Sequence, residues 1–177
     1  APGRMNVFNE HPFKVLFDYG HNAHAVAAMA DLAQRLDVTG RRIVVLAGPG
    51  DRRDEDLRAI ADAVAGRFDH YICRRDDSLR ERAPDEVPKL QAAQLQSRGV
   101  PAAAISVIPD EQEAIDAALN MGQPGDLLLI FADALIRSWK QITKYKSATS
   151  PASGTSPVAA GAAVRGGRPR GAADRPR

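Results

Sequence analysis

Val15-Leu16-Phe17-Asp18-Tyr19-Gly20-His21-Asn22 joins an apolar run to a polar corner, and the residues after it keep helical spacing. Ala25, Val26, Met29, Leu32, Ala33 and Leu36 fall on one face of a 3.6-residue period. Asn22 stands where a side-chain oxygen can accept an orphan N–H of the first turn. A strand that turns at once into a helix is the unit of an α/β sheet, and polar groups at such strand ends face the ligand crevice.

On the N-terminal side, Met5-Asn6-Val7-Phe8 is a short strand candidate, with Asn9-Glu10-His11-Pro12 as a hairpin-type turn into the strand Lys14 to Tyr19. On the C-terminal side the pattern repeats. Strands are expected at Arg42 to Ala47, Tyr71 to Cys73, Ile105 to Ile108 and Leu127 to Phe131. Helices are expected at Asp54 to Ala65, Asp85 to Ser97, after Pro109-Asp110, and at Ile136 to Tyr145. Strand and helix thus alternate about four times. The expected class is α/β: a mostly parallel, Rossmann-like sheet with flanking helices, preceded by a short antiparallel hairpin.

The 177 residues suffice for one domain with a real core, and 44% hydrophobic content is ordinary for a globular chain. No stretch approaches the roughly 18 uninterrupted apolar residues of a membrane span. The single cysteine, Cys73, excludes an internal disulfide and suits a reducing, cytoplasmic compartment. Position 1 is Ala rather than Met, which suits a piece of something longer. The net charge of +2 is uneven: residues 147–177 hold five arginines against one acid, so residues 1–146 are slightly acidic. That tail is Ala, Gly, Pro, Ser, Thr and Arg with little to bury, and is expected to be disordered. Arg165-Gly166-Gly167-Arg168-Pro169-Arg170 could touch nucleic acid through charge, but an acidic folded part argues against a nucleic-acid partner.

Three polar clusters fall at expected strand ends. Asp18, His21 and Asn22 suit ribose hydroxyls, a phosphate-bound metal or an incoming amine; equally, Asn22 can be only a cap and Asp18 a solvated loop acid. A phosphatase-type nucleophile at Asp18 lacks the second acid two residues on, where Gly20 stands. His21 and His24, even with His70 or Cys73, do not have dense metal-ligand spacing, so no metal site is expected. Gly48-Pro49-Gly50-Asp51-Arg52-Arg53 offers backbone N–H groups and arginines to a phosphate, but is neither a Walker A loop nor Gly-x-Gly-x-x-Gly. Arg74-Arg75-Asp76-Asp77-Ser78-Leu79-Arg80 suits a charged substrate, its acids holding a cation and Arg80 a carboxylate. Solvated loops compete with both readings.

Taken in order and spacing, Gly3-Arg4, Asp18-Tyr19-Gly20-His21-Asn22, Gly48-Pro49-Gly50-Asp51-Arg52-Arg53 and Asp76-Asp77-x-x-Arg80 resemble the C-terminal domain of the Mur ligase family. That family includes folylpolyglutamate synthase and cyanophycin synthetase. Gly-Pro-Gly-Asp-Arg-Arg-Asp-Glu-Asp at 48–56 and Gly125-Asp126-Leu-Leu-Leu-Ile-Phe with Trp139-Lys140-Gln141-Ile142 bring the likeness nearest to the cyanophycin synthetases. It covers about Gly3 to Lys146, so the expected units are a Mur ligase C-terminal-like domain over 1–146 and the tail over 147–177. Gly20 replaces a usual Ala, and Ala132-Asp133-Ala134 replaces a Gly-Asp-Asn-like turn.

The resemblance implies an ATP-dependent amide ligase. In such enzymes a central P-loop domain, with ATP and Mg2+, phosphorylates a carboxylate, an amine attacks the acyl phosphate, and the C-terminal domain closes over the site. On matching positions, Arg4, Asp18, His21 and Asn22 would contact ATP. Asp51, Arg52, Asp76, Asp77 and Arg80 would line the pocket of the incoming amino acid, which for cyanophycin synthetase is arginine. No residue here is assigned a catalytic role. The sequence holds no P-loop, so a missing central domain is the expected partner, and the homo-oligomeric state of a full enzyme stays open. The alternative is a non-catalytic nucleotide or amino-acid binding module.

Overall fold

The computed structural model describes residues 5–146, so Arg4 and the tail at 147–177 lie outside the described residues. Along the chain run β1 (Asn6–Phe8), β2 (Lys14–Asp18), α1 (Ala23–Arg35), β3 (Arg42–Leu46), α2 (Asp54–Val64), β4 (His70–Cys73), α3 (Glu86–Ser97), β5 (Ile105–Val107), α4 (Glu111–Met121), β6 (Leu127–Phe131) and α5 (Leu135–Lys144). One six-stranded sheet forms, in the order β1-β2-β6-β3-β4-β5. Only the β1–β2 hairpin is antiparallel, so the α/β class and the opening hairpin stand as expected.

The chain alternates side chains between the two faces of the sheet, and each face buries its own core. Leu16, Val44, Leu46, Tyr71 and Leu129 pack with Val26, Ile60 and Leu95 of α1, α2 and α3. Val15, Phe17, Ile43, Val45 and Ile130 pack with Ile115 and Ile142 of α4 and α5. This division follows from the handedness of parallel crossovers. The β2–β3, β3–β4 and β4–β5 connections step one way across the sheet, and the β5–β6 connection steps back, which puts α4 on the opposite face. Every residue of β6 is buried, because this strand has a parallel neighbour on each side and helices on both faces.

Local chemistry sets the element ends. Asn22 Oδ1 accepts from Ala25 N at 2.8 Å and caps α1; Asp110 does the same for α4 through Glu113 N. Gly66 and Gly99 take φ of +76° and +91° after α2 and α3. The turn between β1 and β2 is not solvated throughout. His11 turns in among Phe8, Phe13 and Tyr145, and its Nε2 donates to the Ile142 carbonyl at 2.6 Å, which ties the hairpin to α5.

Candidate functional site

The carboxyl ends of β2, β6, β3 and β4 lie side by side, so Asp18 to Asn22, Asp133, Gly48 to Arg53 and Arg74 to Asp77 share one rim. His21 is at its centre. Its Nδ1 lies 2.6 Å from the Tyr19 carbonyl, its Nε2 lies 3.1 Å from Asp133 Oδ1, and its ring stacks on Tyr19 at 3.7 Å. Burial lowers the imidazole pKa, but Asp133 and the Tyr19 carbonyl outweigh it and leave it raised. Asp76 stands against the same pair. Burial first, then the neighbouring Asp133, push its carboxyl up to about 6. Burial acts on Asp133 in the same upward sense, yet His21 and Arg74 hold it well below the usual carboxylate range.

Behind the rim lies a buried ionic group. Arg74, fully buried at the end of β4, gives Nε and Nη2 to the Phe131 carbonyl and Nη1 to the Arg75 carbonyl. Nη1 also pairs with Asp133 Oδ2 at 3.1 Å and Glu111 Oε2 at 3.2 Å. Glu111, in the first turn of α4, accepts from Ser138 and Arg137 of α5 and from the Asp133 backbone N–H. Arg137 reaches on to Asp77 at 3.4 Å. A buried charge is tolerable only when paired and hydrogen-bonded, and this group meets that condition across three elements.

Two clefts flank His21. One of about 460 Å³ is lined by Met5, Asp18, Tyr19, Gly20, His21, Asn22 and Ala25. The other, about 540 Å³, is lined by His21 to His24, Arg52, Arg53, Asp56, Ala59 and Ile60. The loops around them are clamped together by Arg82. Its guanidinium donates to the carbonyls of Gly50 at 2.8 Å and Arg52 at 2.7 Å, and pairs with Asp54 and Glu86. Gly50 packs so closely on this loop that a Cβ would lie 2.5 Å from the Leu79 carbonyl oxygen.

The sequence model of the family described as Mur ligase, glutamate ligase domain, matches residues 3–134. The chain belongs to this family. Among its relatives, the cyanophycin synthetase of Geminocystis herdmanii is 38% identical over 145 residues, covering 82% of this chain and 16% of that protein. The UDP-N-acetylmuramoyl-L-alanyl-D-glutamate–2,6-diaminopimelate ligase of Brucella melitensis is 32% identical over 133 residues, covering 73% of this chain and 25% of that one. The Mur ligase domain described here therefore spans only about a sixth of the cyanophycin synthetases it matches. Its fold recurs in a solved diaminopimelate ligase (TM-score 0.63, 21% identity, 81% of this chain and 32% of that one). It recurs also in the Mycobacterium tuberculosis folylpolyglutamate synthase complexed with ADP and AMPPCP (TM-score 0.59, 20% identity, 83% and 33%).

Within this Mur ligase domain the residues named from sequence separate. Asp18, His21 and Asn22 line one cleft together, with Asn22 also serving as the cap. Arg52 lines the second cleft, while Asp51 and Arg80 are exposed and line neither. Asp76 and Asp77 part company: the first joins His21 and Asp133, the second Arg137. Arg4 lies outside the described residues. Glu111 and Arg82 went unnamed; Arg74 entered only as one member of the charged cluster after the strand at 71–73, and Asp133 only as a departure from a Gly-Asp-Asn-like turn. His21 does not group with His24, His70 or Cys73. His70 bonds Ser106, and burial pushes the Cys73 thiol up to about 12.

Mg2+, which the family resemblance implies, does not fit the one group of ligand-type atoms among the described residues, His21, Asp76 and Asp133. Mg2+ takes oxygen ligands in near-octahedral geometry, whereas here both imidazole nitrogens lie on oxygen acceptors and Asp133 is committed to Arg74. No helix among the described residues is long and apolar enough to cross a membrane.

Proposed function

We propose that the chain is the C-terminal, closing domain of an ATP-dependent amide ligase of the cyanophycin synthetase kind, adding an amino acid, arginine, to a carboxylate activated as its acyl phosphate. Relatives named as cyanophycin synthetases at 34–38% identity support the ligase reading. The observation that carries it is the rim, where polar groups from four strand ends converge in a sequence that holds no P-loop. The site is one half of a composite, incomplete without a P-loop central domain. In the reaction the amine nitrogen bonds the acyl carbon, the C–O bond to phosphate breaks, and the amine loses a proton. The contribution of this domain is orientation and charge when closed against its partner.

The cleft of Asp18, His21 and Asn22 is assigned to the nucleotide, together with Arg4, and the loops of Asp51, Arg52, Asp76, Asp77 and Arg80 to the amino acid. Asp76 supports a cationic substrate: burial and the neighbouring Asp133 push its carboxyl up to about 6, and a guanidinium brought against it would offset the cost of its ionised form. ATP with Mg2+, the latter held by the central domain, is the expected cofactor set.

The test is complementation. A cyanophycin synthetase stripped of the region matching residues 3–134 is mixed with this chain, and arginine-dependent ADP release is followed. Restored turnover is expected. No restored turnover, combined with no ADP or arginine binding by calorimetry, would sink the reading; binding without turnover would favour a non-catalytic binding module.

A further inference from the structure

The His21 ring is held on three sides. A carbonyl oxygen only accepts, so Nδ1, at 2.6 Å from the Tyr19 carbonyl, carries a hydrogen. Asp133 is ionised, since its Oδ2 takes the buried Arg74 Nη1 at 3.1 Å and the Asp77 N–H at 3.3 Å. Its other oxygen, 3.1 Å from Nε2, therefore draws a second hydrogen there. The Tyr19 ring covers one face at 3.7 Å. Arg74 is itself fixed, since its Nε and Nη2 donate to the Phe131 carbonyl and its Nη1 also meets the Arg75 carbonyl and Glu111.

We propose that Asp133 is a positioning residue: anchored by Arg74, it keeps His21 a doubly hydrogen-bonded imidazolium on the wall shared by the two clefts, where it acts as a fixed positive charge. Both ring N–H groups are used inside the domain, so His21 neither abstracts a proton nor offers a free N–H to a ligand. What it offers is charge and a rigid ring edge, suited to the phosphates of a nucleotide. Only this last clause rests on the nucleotide reading above.

The groups facing His21 are consistent with a charged ring. Asp133 comes from the turn before α5, Asp76 from the end of β4, and Asp18 from its own strand; Arg52 and His24 share the second cleft, and Arg74 lies behind Asp133. Asp133 touches the ring and Asp76 lies beside it, whereas Arg52, Arg53 and Asp56 line the second cleft, and the raised pKa of His21 agrees in direction.

Nitrogen NMR on the full chain with isotope-labelled histidine tests this without any ligand. Both ring nitrogens of His21 should be protonated at neutral pH, and the ring should titrate above the ordinary imidazole value of 6.5. In Asp133→Asn the carboxamide keeps an acceptor but not the charge, so the midpoint should fall to that ordinary value or below; Asp133→Glu should recover part of the rise. A single neutral tautomer of His21 in the unsubstituted chain at neutral pH overturns the proposal, as does an unchanged midpoint in Asp133→Asn. Should Asp133→Asn not fold, the unsubstituted titration decides, with Asp76→Asn expected to keep most of the rise. ADP binding is then measured by calorimetry. About a tenfold loss per unit fall in the His21 midpoint is expected in Asp133→Asn above that midpoint. If the NMR result holds and ADP binds neither protein, the positioning stands and the nucleotide reading fails.

Discussion

Arg74 is a guanidinium with no exposure, yet it is not an isolated charge. Glu111 and Asp133 neutralise it, and losing one member of such a set leaves the others unpaired, at a cost of about 3–5 kcal/mol. The acids around it respond to pH in opposite senses. Asp133, depressed in the fold, stabilises above the usual 3.8 and loses that contribution as pH falls through its folded value. Asp76 is raised from 3.8 to about 6, so its contribution is present below 3.8 and is lost as pH rises through about 6. His21, raised from 6.5, adds stability that is present below that value and is lost as pH climbs through its folded value. Asp76→Asn removes the penalty of ionising beside Asp133. Its unfolding midpoint is expected to exceed that of the unsubstituted chain by a few degrees well above pH 6, with the difference shrinking below 3.8. A gain equal at all pH values in thermal melts would contradict that account.

Among the elements, the helices were readable because their chemistry is local. Asn22 and Asp110 are found as caps and the glycines follow the helices they end, since capping involves residues three or four apart. In the loops over the clefts the contact that the sequence did not signal is Arg82, which bridges them, while the neighbouring Arg80 and Glu81 take φ of +49° and +69°. Two non-glycine residues in the left-handed region cost on the order of 1 kcal/mol each, so the clamp has strain to offset. Arg82→Ala should speed backbone hydrogen exchange over residues 48–54 and 76–85 about tenfold or more, with little change in the core strands. Equal exchange in the two proteins would mean that Gly50 packing alone holds the loops.

At the level of the chain, residues 147–177 are almost all Ala, Gly, Pro, Ser, Thr and Arg, a composition with little apolar area to bury. Removing residues 147–177 is therefore expected to leave the thermal midpoint and cooperativity of unfolding unchanged; a clear drop would move the domain boundary past Lys146. The rim has charge for phosphates but the sequence holds no P-loop, so the 177-residue chain is expected to release no phosphate from ATP above the buffer rate. Measurable turnover by the chain alone would require a different catalytic centre.

The alternation of strands and helices, the two-faced burial of β6 and the polar corner after β2 follow from short-range periodicity and capping, which residues settle with near neighbours. Family membership was legible for a related reason: its motifs are short and keep their order. The position of β6 between β2 and β3 was not legible. Periodicity says that a strand is buried on both faces without saying which strands lie beside it, and strand order is fixed by how crossovers pack across the sheet. That order brings Asp133 to His21 and Arg74, turning an acid noted only as part of an altered turn into the partner of the central histidine. Pairing between distant residues depends on burial and geometry that no local pattern encodes, so the charge state of the rim is a property of the folded sheet.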